Sequence, residues 1–176
     1  AIMEVVRCFD DGNVTHVDGS VDPVRDVETI NYELIFSDLE ILEKRIKGVE
    51  KNAKHGNKED KAIYDALIKA KEILESGKFI DVDEFGKEER DILLAQDLLT
   101  TKKIMYAANV SENDAATGNE YTEKLKAYVA ENYPKSEVIV ISAKIEAEIA
   151  QLDDEEKAMF LEELGLETSG IQRVIK

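Results

Sequence analysis

The sequence predicts an α/β protein: a partial parallel sheet with flanking helices, interrupted by an inserted antiparallel helical coiled-coil arm. Three observations carry that expectation. Ile104, Met105, Tyr106, Ala107 and Ala108 form an unbroken apolar run, and Val138 to Ile141 form a second. Such runs suit strands covered on both faces, as in a parallel sheet. An amphipathic helical pattern lies between them, from about Glu120 to Asn132, with Tyr121, Leu125, Tyr128 and Val129 on its apolar side and Pro134 closing it. Finally, Ile35, Leu39, Leu42, Ile46, Val49 and Ala53 step by fours and threes, the spacing of a heptad seam.

Taken in order, the chain opens on an expected strand from about Met3 to Phe9, followed by a polar turn over 10–13 and a short extended piece over 14–17. Asp22-Pro23 is a strong helix start, with an acceptor at the cap and proline at the first helical position. The seam helix runs to a break at His55-Gly56-Asn57. A second helix, about Lys58 to Ser76, carries Ile63, Leu67, Ala70 and Leu74 and stops at Gly77. Two such seams facing each other predict an antiparallel hairpin that projects from the body, mostly in water. A connector, Phe79 to Phe85, leads to a third helix, about Lys87 to Leu99. Beyond Lys144 a helix carries Ile145, Ile149 and Leu152. Asp153-x-x-Glu156 is a capping box for the next, which stops at Gly165, and Ser169 to Lys176 again look helical. The arm is thus assigned to 22–99 and the sheet-bearing part to 1–21 and 100–176.

Composition narrows the classes. A net charge of −16 over 176 residues argues against a nucleic-acid groove or an anionic membrane surface as partner of this stretch. One cysteine, Cys8, rules out a disulfide framework or a cysteine zinc cluster, and its apolar neighbours make it a buried strand residue in a reducing compartment. No apolar run reaches transmembrane length, so the expected location is cytoplasmic. The opening Ala1-Ile2-Met3 enters a strand directly, which suggests a chain cut open within a larger domain.

The chemistry is expected just past the carboxyl ends of the two interior strands, where open α/β sheets bind ligands. The first strand ends in Asn109-Val110-Ser111-Glu112 and the second in Ser142-Ala143-Lys144. An asparagine amide offers a donor and an acceptor to a purine. Guanine-binding loops of this kind usually read N-K-x-D, the aspartate accepting from guanine N1–H and the 2-amino group. Here Val110 stands at the lysine position, able to lie against a base, and Glu112 is one methylene longer than aspartate. Adenine has neither donor, so the substitution should cost GTP far more than ATP. Each motif alone has a plainer reading, Asn109 as a turn residue and Ser142 as a helix cap. The conjunction, with a helix and strand between, makes the case. His16 and His55 lack ligand-spaced partners, and no glycine-rich phosphate loop or Ser/His/Asp arrangement occurs in the 176 residues.

V-V-R-C-F at Val5 to Phe9, H-V-D-G-S-V-D-P-V-R-D-V-E-T-I-N-Y-E-L at His16 to Leu34, Y-A-A-N-V-S-E at Tyr106 to Glu112, L-D-D-E-E-K-A-M-F-L-E-E-L-G-L-E at Leu152 to Glu167 and G-I-Q-R-V-I-K at Gly170 to Lys176 strongly resemble the Obg-like ATPase (YchF) family. The resemblance covers essentially the whole chain. It implies a P-loop NTPase fold of the translation-factor class, with a coiled-coil arm inserted before the fourth nucleotide motif and a small TGS domain after the NTPase domain. It also implies a preference for ATP over GTP linked to N-x-x-E, association with ribosomes, and a part in stress and redox responses. On that resemblance Asn109, Val110 and Glu112 form the base loop, and Ser142, Ala143 and Lys144 the S-A-K loop. The family's P-loop, its Mg²⁺ ligands and the TGS domain have no counterpart in these residues, so Mg²⁺ is expected only in the intact parent. This stretch is expected to bind nucleotide weakly and not to hydrolyse it, and to expose a sheet edge at which a second copy could pair. The competing reading makes the arm an interaction module that docks a ribosomal or protein partner without nucleotide.

Overall fold

A computed structural model describes residues 1–10 and 20–175. The turn and extended piece expected over 10–17 therefore fall, Asp10 apart, outside the described residues, as does His16. The chain divides into two compact units, Ala1–Val27 with Ile104–Lys176, and Glu28–Lys103.

The first unit is built on a parallel three-stranded sheet in the order β1 (Ile2–Arg7), β2 (Ile104–Asn109), β3 (Glu137–Ile141). The central position of β2 explains its unbroken apolar run: Tyr106, Ala107 and Ala108 are fully buried. β1 alternates instead. Glu4 and Val6 face the interior while Met3 and Val5 stay exposed, because β1 pairs on one side only among the described strands. The helix α4 (Glu120–Asn132) joins β2 to β3, opening on a reciprocal cap between Asn119 and Thr122 and burying Leu125 and Val129. Just past its end, the Tyr133 ring lies 6.2 Å from that of Tyr106.

After β3 come α5 (Ala143–Ile149), α6 (Asp154–Glu163) and α7 (Gly170–Ile175). The capping box is present as expected, with Asp153 and Glu156 bonding each other's backbone N–H, and Gly165 at φ 69° follows the end of α6. α7 is held by side chains from its neighbours. Glu146 accepts from the backbone N–H of Gly170 at 2.5 Å and of Ile171 at 3.4 Å, and the Arg173 guanidinium donates to Val140 O at 2.8 Å. A Cβ on Gly170 would lie 2.6 Å from Ile141 Cγ2, so only glycine allows this approach.

The second unit is helical and takes all of α1 (Pro23–Lys54) from Glu28 onward. The helix starts where Asp22 Oδ1 accepts from Arg25 N at 3.1 Å, and Gly56 at φ 92° turns the chain into α2 (Lys58–Glu75), capped by Asn57. An ion pair from Lys71 to Glu43 at 3.2 Å ties the antiparallel helices. The apolar seam is not left to two helices, however. Ile35, Leu42 and Ile46 of α1 and Leu67, Ala70 and Leu74 of α2 share one core with Ile80, Leu98, and Leu93 of α3 (Lys87–Leu94). The structure therefore shows a helical hairpin closed by a third helix, where the heptad spacing alone suggested a two-stranded coil in water.

The third helix also ends five residues earlier than the apolar pattern suggested. The cause is Asp38, buried on α1, whose carboxylate accepts from Leu99 N at 2.9 Å, Thr100 N at 2.7 Å and Thr100 Oγ1 at 2.6 Å. Those N–H groups are claimed by a distant side chain, and Asp97 at φ 54° reverses the chain to reach it. Removing the carboxylate leaves buried donors unsatisfied. Asp38→Ala is expected to destabilise the protein by about 2–4 kcal/mol, read as a lower urea midpoint with an unchanged slope.

Glu4 is the opposite case. It is 5% exposed and neither carboxylate oxygen has a hydrogen-bond partner. Burial raises its pKa from 4.5 to about 7. The folded chain thus holds a proton that the unfolded chain releases. The stability this contributes is fully present below about 4.5 and is lost as pH rises through about 7. Urea midpoints should fall between pH 5 and pH 8, and Glu4→Gln should flatten that decline.

Candidate functional site

The parallel register sets the ends of the strands side by side. Arg7 pairs with Asn109, and Asn109 with Ile141. The ladder continues one step further, Cys8 N donating to Asn109 O and Val110 N to Ile141 O, both at 2.8 Å. The polar residues that follow β2 and β3 therefore emerge from adjacent strand ends.

The two loops bond to each other directly. Asn109 Oδ1 accepts from the backbone N–H of Ala143 at 2.9 Å. The Lys144 ammonium pairs with Glu112 Oε2 at 3.1 Å. Ser142 Oγ caps α5 by accepting from Ile145 N at 3.4 Å and is itself buried, while Ala143 and Lys144 are exposed. Val110 is 2% exposed. Its side chain packs inward, so in this conformation it seats the loop from below. Five of the six sequence-predicted residues thus join in bonds within or between the two loops, and Val110 supports them from beneath. With Oδ1 engaged, the Asn109 Nδ2 amide remains as a donor.

Sequence reasoning overlooked Asn119. Its Nδ2 donates to Cys8 O at 2.7 Å and to Asp114 Oδ2 at 3.0 Å, and Ser111 Oγ donates to the same Asp114 oxygen at 3.3 Å. One side chain thus caps α4, fixes the segment after Glu112 and ties it to the end of β1. The signal was legible, an asparagine immediately before a helix with a hydroxyl residue three positions on. Nothing in the spacing pointed to Cys8 as its partner.

Other candidates do not converge on the loops. The Cys8 thiol is fully buried and pushed up to about 12 by burial and, second, by the nearby Asp26 charge, so it is no nucleophile. Arg7 donates to Phe9 O and stacks on its ring, and Arg25 pairs with Asp26. His55 Nδ1 lies 2.6 Å from Lys51 O. Among the described residues there is no group of three or more His, Cys, Asp or Glu placed to hold a metal, and no helix long and apolar enough to cross a membrane. A cavity of about 420 Å³ lies along β3, lined by Thr117, Gly118, Lys126, Val138, Val140 and Arg173 among others, and none of the six loop residues lines it.

This arrangement, parallel strands with polar loops meeting past their carboxyl ends, defines the α/β class to which the P-loop NTPases belong. No protein-family model matches the chain. Individual relatives do. The chain is 50% identical over 179 residues to the ribosome-binding ATPase YchF of Bacillus subtilis, covering all of this chain and 48% of that protein. It is 41% identical over 176 residues to YchF of Escherichia coli O157:H7, again covering 48% of it, and 34% identical to Obg-like ATPase 1 of Caenorhabditis elegans over 177 residues, 99% of this chain and 45% of that protein. A solved structure, titled as that of the Schizosaccharomyces pombe YchF GTPase, superposes with a TM-score of 0.86 at 32% identity, covering 99% of this chain and 48% of that one. The chain belongs to the YchF/Obg-like ATPase family, and it spans about half the length of the curated relatives it matches.

The burial of Val110 yields a test of the loop's seating. Val110→Lys, the residue usual in guanine-binding loops, would place an ammonium at a buried position. It should destabilise the protein by about 2–4 kcal/mol, seen as a lower thermal midpoint than that of Val110→Ala.

Proposed function

We propose that the loops after β2 and β3 form the purine-base site of a ribosome-associated nucleoside triphosphatase that takes ATP in preference to GTP. The observation that carries this reading is the bond from Ala143 N–H to Asn109 Oδ1, which locks the amide and leaves Nδ2 to donate to a purine ring nitrogen. Adenine's edge asks for no carboxylate, whereas guanine's N1–H and 2-amino group do. The long, ion-paired Glu112 meets that demand poorly. The names carried by relatives differ on the nucleotide, ATPase for the curated proteins and GTPase for the solved one. The choice of base is therefore the point to measure.

These residues select and orient. In P-loop enzymes, bond cleavage rests on the phosphate cradle, its lysine and Mg²⁺. No G-x-x-x-x-G-K-[ST] occurs in the 176 residues, and no metal-ligand group is found among those described. Mg²⁺ and the phosphates would be held by other parts of the protein, and no catalytic residue is assigned to this stretch. By itself it binds nucleotide weakly and does not hydrolyse it. Titration calorimetry of ATP and GTP against the full-length protein tests the reading. Tighter ATP binding is expected, with Asn109→Ala weakening both nucleotides about 10- to 100-fold. Equal affinity for both nucleotides, or no effect of Asn109→Ala, contradicts it.

A second observation favours the arm as a docking module. The overall negative charge conceals a local excess: Lys44, Arg45, Lys47, Lys51, Lys54 and Lys58 stand against a single acid, Glu50, between 44 and 58. Lys44, Lys47, Lys51 and Lys54 fall on one face of α1. Lys44 and Lys54 pair with Glu40 and Glu50, while Arg45, Lys47, Lys51 and Lys58 have no ion-pair partner among the described residues. Such a stripe suits a phosphate-rich surface such as ribosomal RNA. Lys47→Glu with Lys51→Glu should reduce co-sedimentation with ribosomes at least tenfold at low salt, leaving nucleotide affinity unchanged.

A further inference from the structure

Two groups that would read guanine are already engaged between the loops. Guanine presents O6 as an acceptor and N1–H and a 2-amino group as donors, while adenine presents a 6-amino donor and an N1 acceptor. A guanine-selective loop therefore needs an unoccupied N–H for O6 and an unoccupied carboxylate for the donors. Here the Ala143 N–H donates to Asn109 Oδ1 at 2.9 Å, and Glu112 Oε2 is paired with the Lys144 ammonium at 3.1 Å. Building on the base site proposed above, we propose that Lys144 is a specificity-determining positioning residue: its ion pair holds the Glu112 carboxylate across the loops and withholds it from guanine.

The surrounding structure makes this a choice of partner for one side chain. The backbone after Glu112 is fixed by Ser111, Asp114 and Asn119. Lys144 sits in the first turn of α5, whose start is pinned by the Ser142 cap. Both frames stay in place when the ion pair is removed, so losing Lys144 frees the carboxylate without moving the loop that carries it. Adenine makes no demand on that carboxylate and is indifferent to its release. The Lys144 side chain is 70% exposed and that of Glu112 35%, so water screens the pair. Its share of the discrimination is accordingly modest, about three- to fivefold.

The test is titration calorimetry of ATP, GTP and ITP (guanine's edge without the 2-amino group) against the full-length protein and three variants. Lys144→Met should narrow the ATP-to-GTP affinity ratio about three- to fivefold, with a smaller gain for ITP. Lys144→Arg, which keeps the pair, should retain the wild-type ratio. Lys144→Met combined with Glu112→Gln should abolish the gain, since the freed carboxylate is its source. An unchanged ratio in Lys144→Met, a parallel loss of both nucleotides, or a gain that survives Glu112→Gln overturns the role of Lys144. A wild-type protein that binds neither nucleotide, or binds both undisturbed by Asn109→Ala, overturns the base site itself.

Discussion

The parallel register between β2 and β3 is the constraint on which the candidate site depends. Strand side chains alternate between faces, so slipping the pairing by one residue would send Asn109 to the other face and break its bond to Ala143. The register is over-determined. Tyr106, Ala107 and Ala108 are all buried, and the ladder runs on past the last strand residues through Val110 N and Ile141 O. The two loops need little stabilising chemistry of their own because the core beneath them fixes where they begin.

Polar side chains do comparable work away from that site. Asp38 lies more than sixty positions from the amides it satisfies, yet it decides where the helix after α2 stops. Asn119 likewise caps one helix and binds the end of a strand from a distant part of the sequence. Both are buried or half-buried groups whose hydrogen-bonding capacity is used on the main chain. In each unit, such residues set element boundaries that local propensity leaves open.

This division explains what could be read from the sequence. Helix starts at Asp22-Pro23 and Asp153, the breaks at His55-Gly56-Asn57 and Gly165, and the buried run of β2 depend on near neighbours, and all were legible. The apolar run of β3 suggested a strand covered on both faces, whereas β3 stands at the end of the strand order among the described strands and is only half-buried. The six loop residues were legible as a set because each follows the carboxyl end of an apolar strand. The early end of α3 was hidden, since residues 95–99 keep an apolar helical pattern and only the distant Asp38 overrides it. The inward packing of Val110 was hidden for a similar reason: spacing places a residue on a loop but does not say which side of the loop it occupies. The third-helix closure of the seam could not be read from heptads, which report an apolar stripe without naming what covers it. Net charge also hid one local feature, because a sum over the chain erases a lysine-rich helix end.

The tie between Glu146 and α7 has a mechanical consequence. α5 begins at the very residues that bond to Asn109, and one turn later its glutamate grips the first amides of α7, with Gly170 pressed against Ile141 at a distance that admits no side chain. There is no slack between these parts. The Ser142–Lys144 segment and the first turn of α7 are thereby coupled through one short helix, so that neither can shift without straining the Glu146 bonds or the Gly170 contact between them.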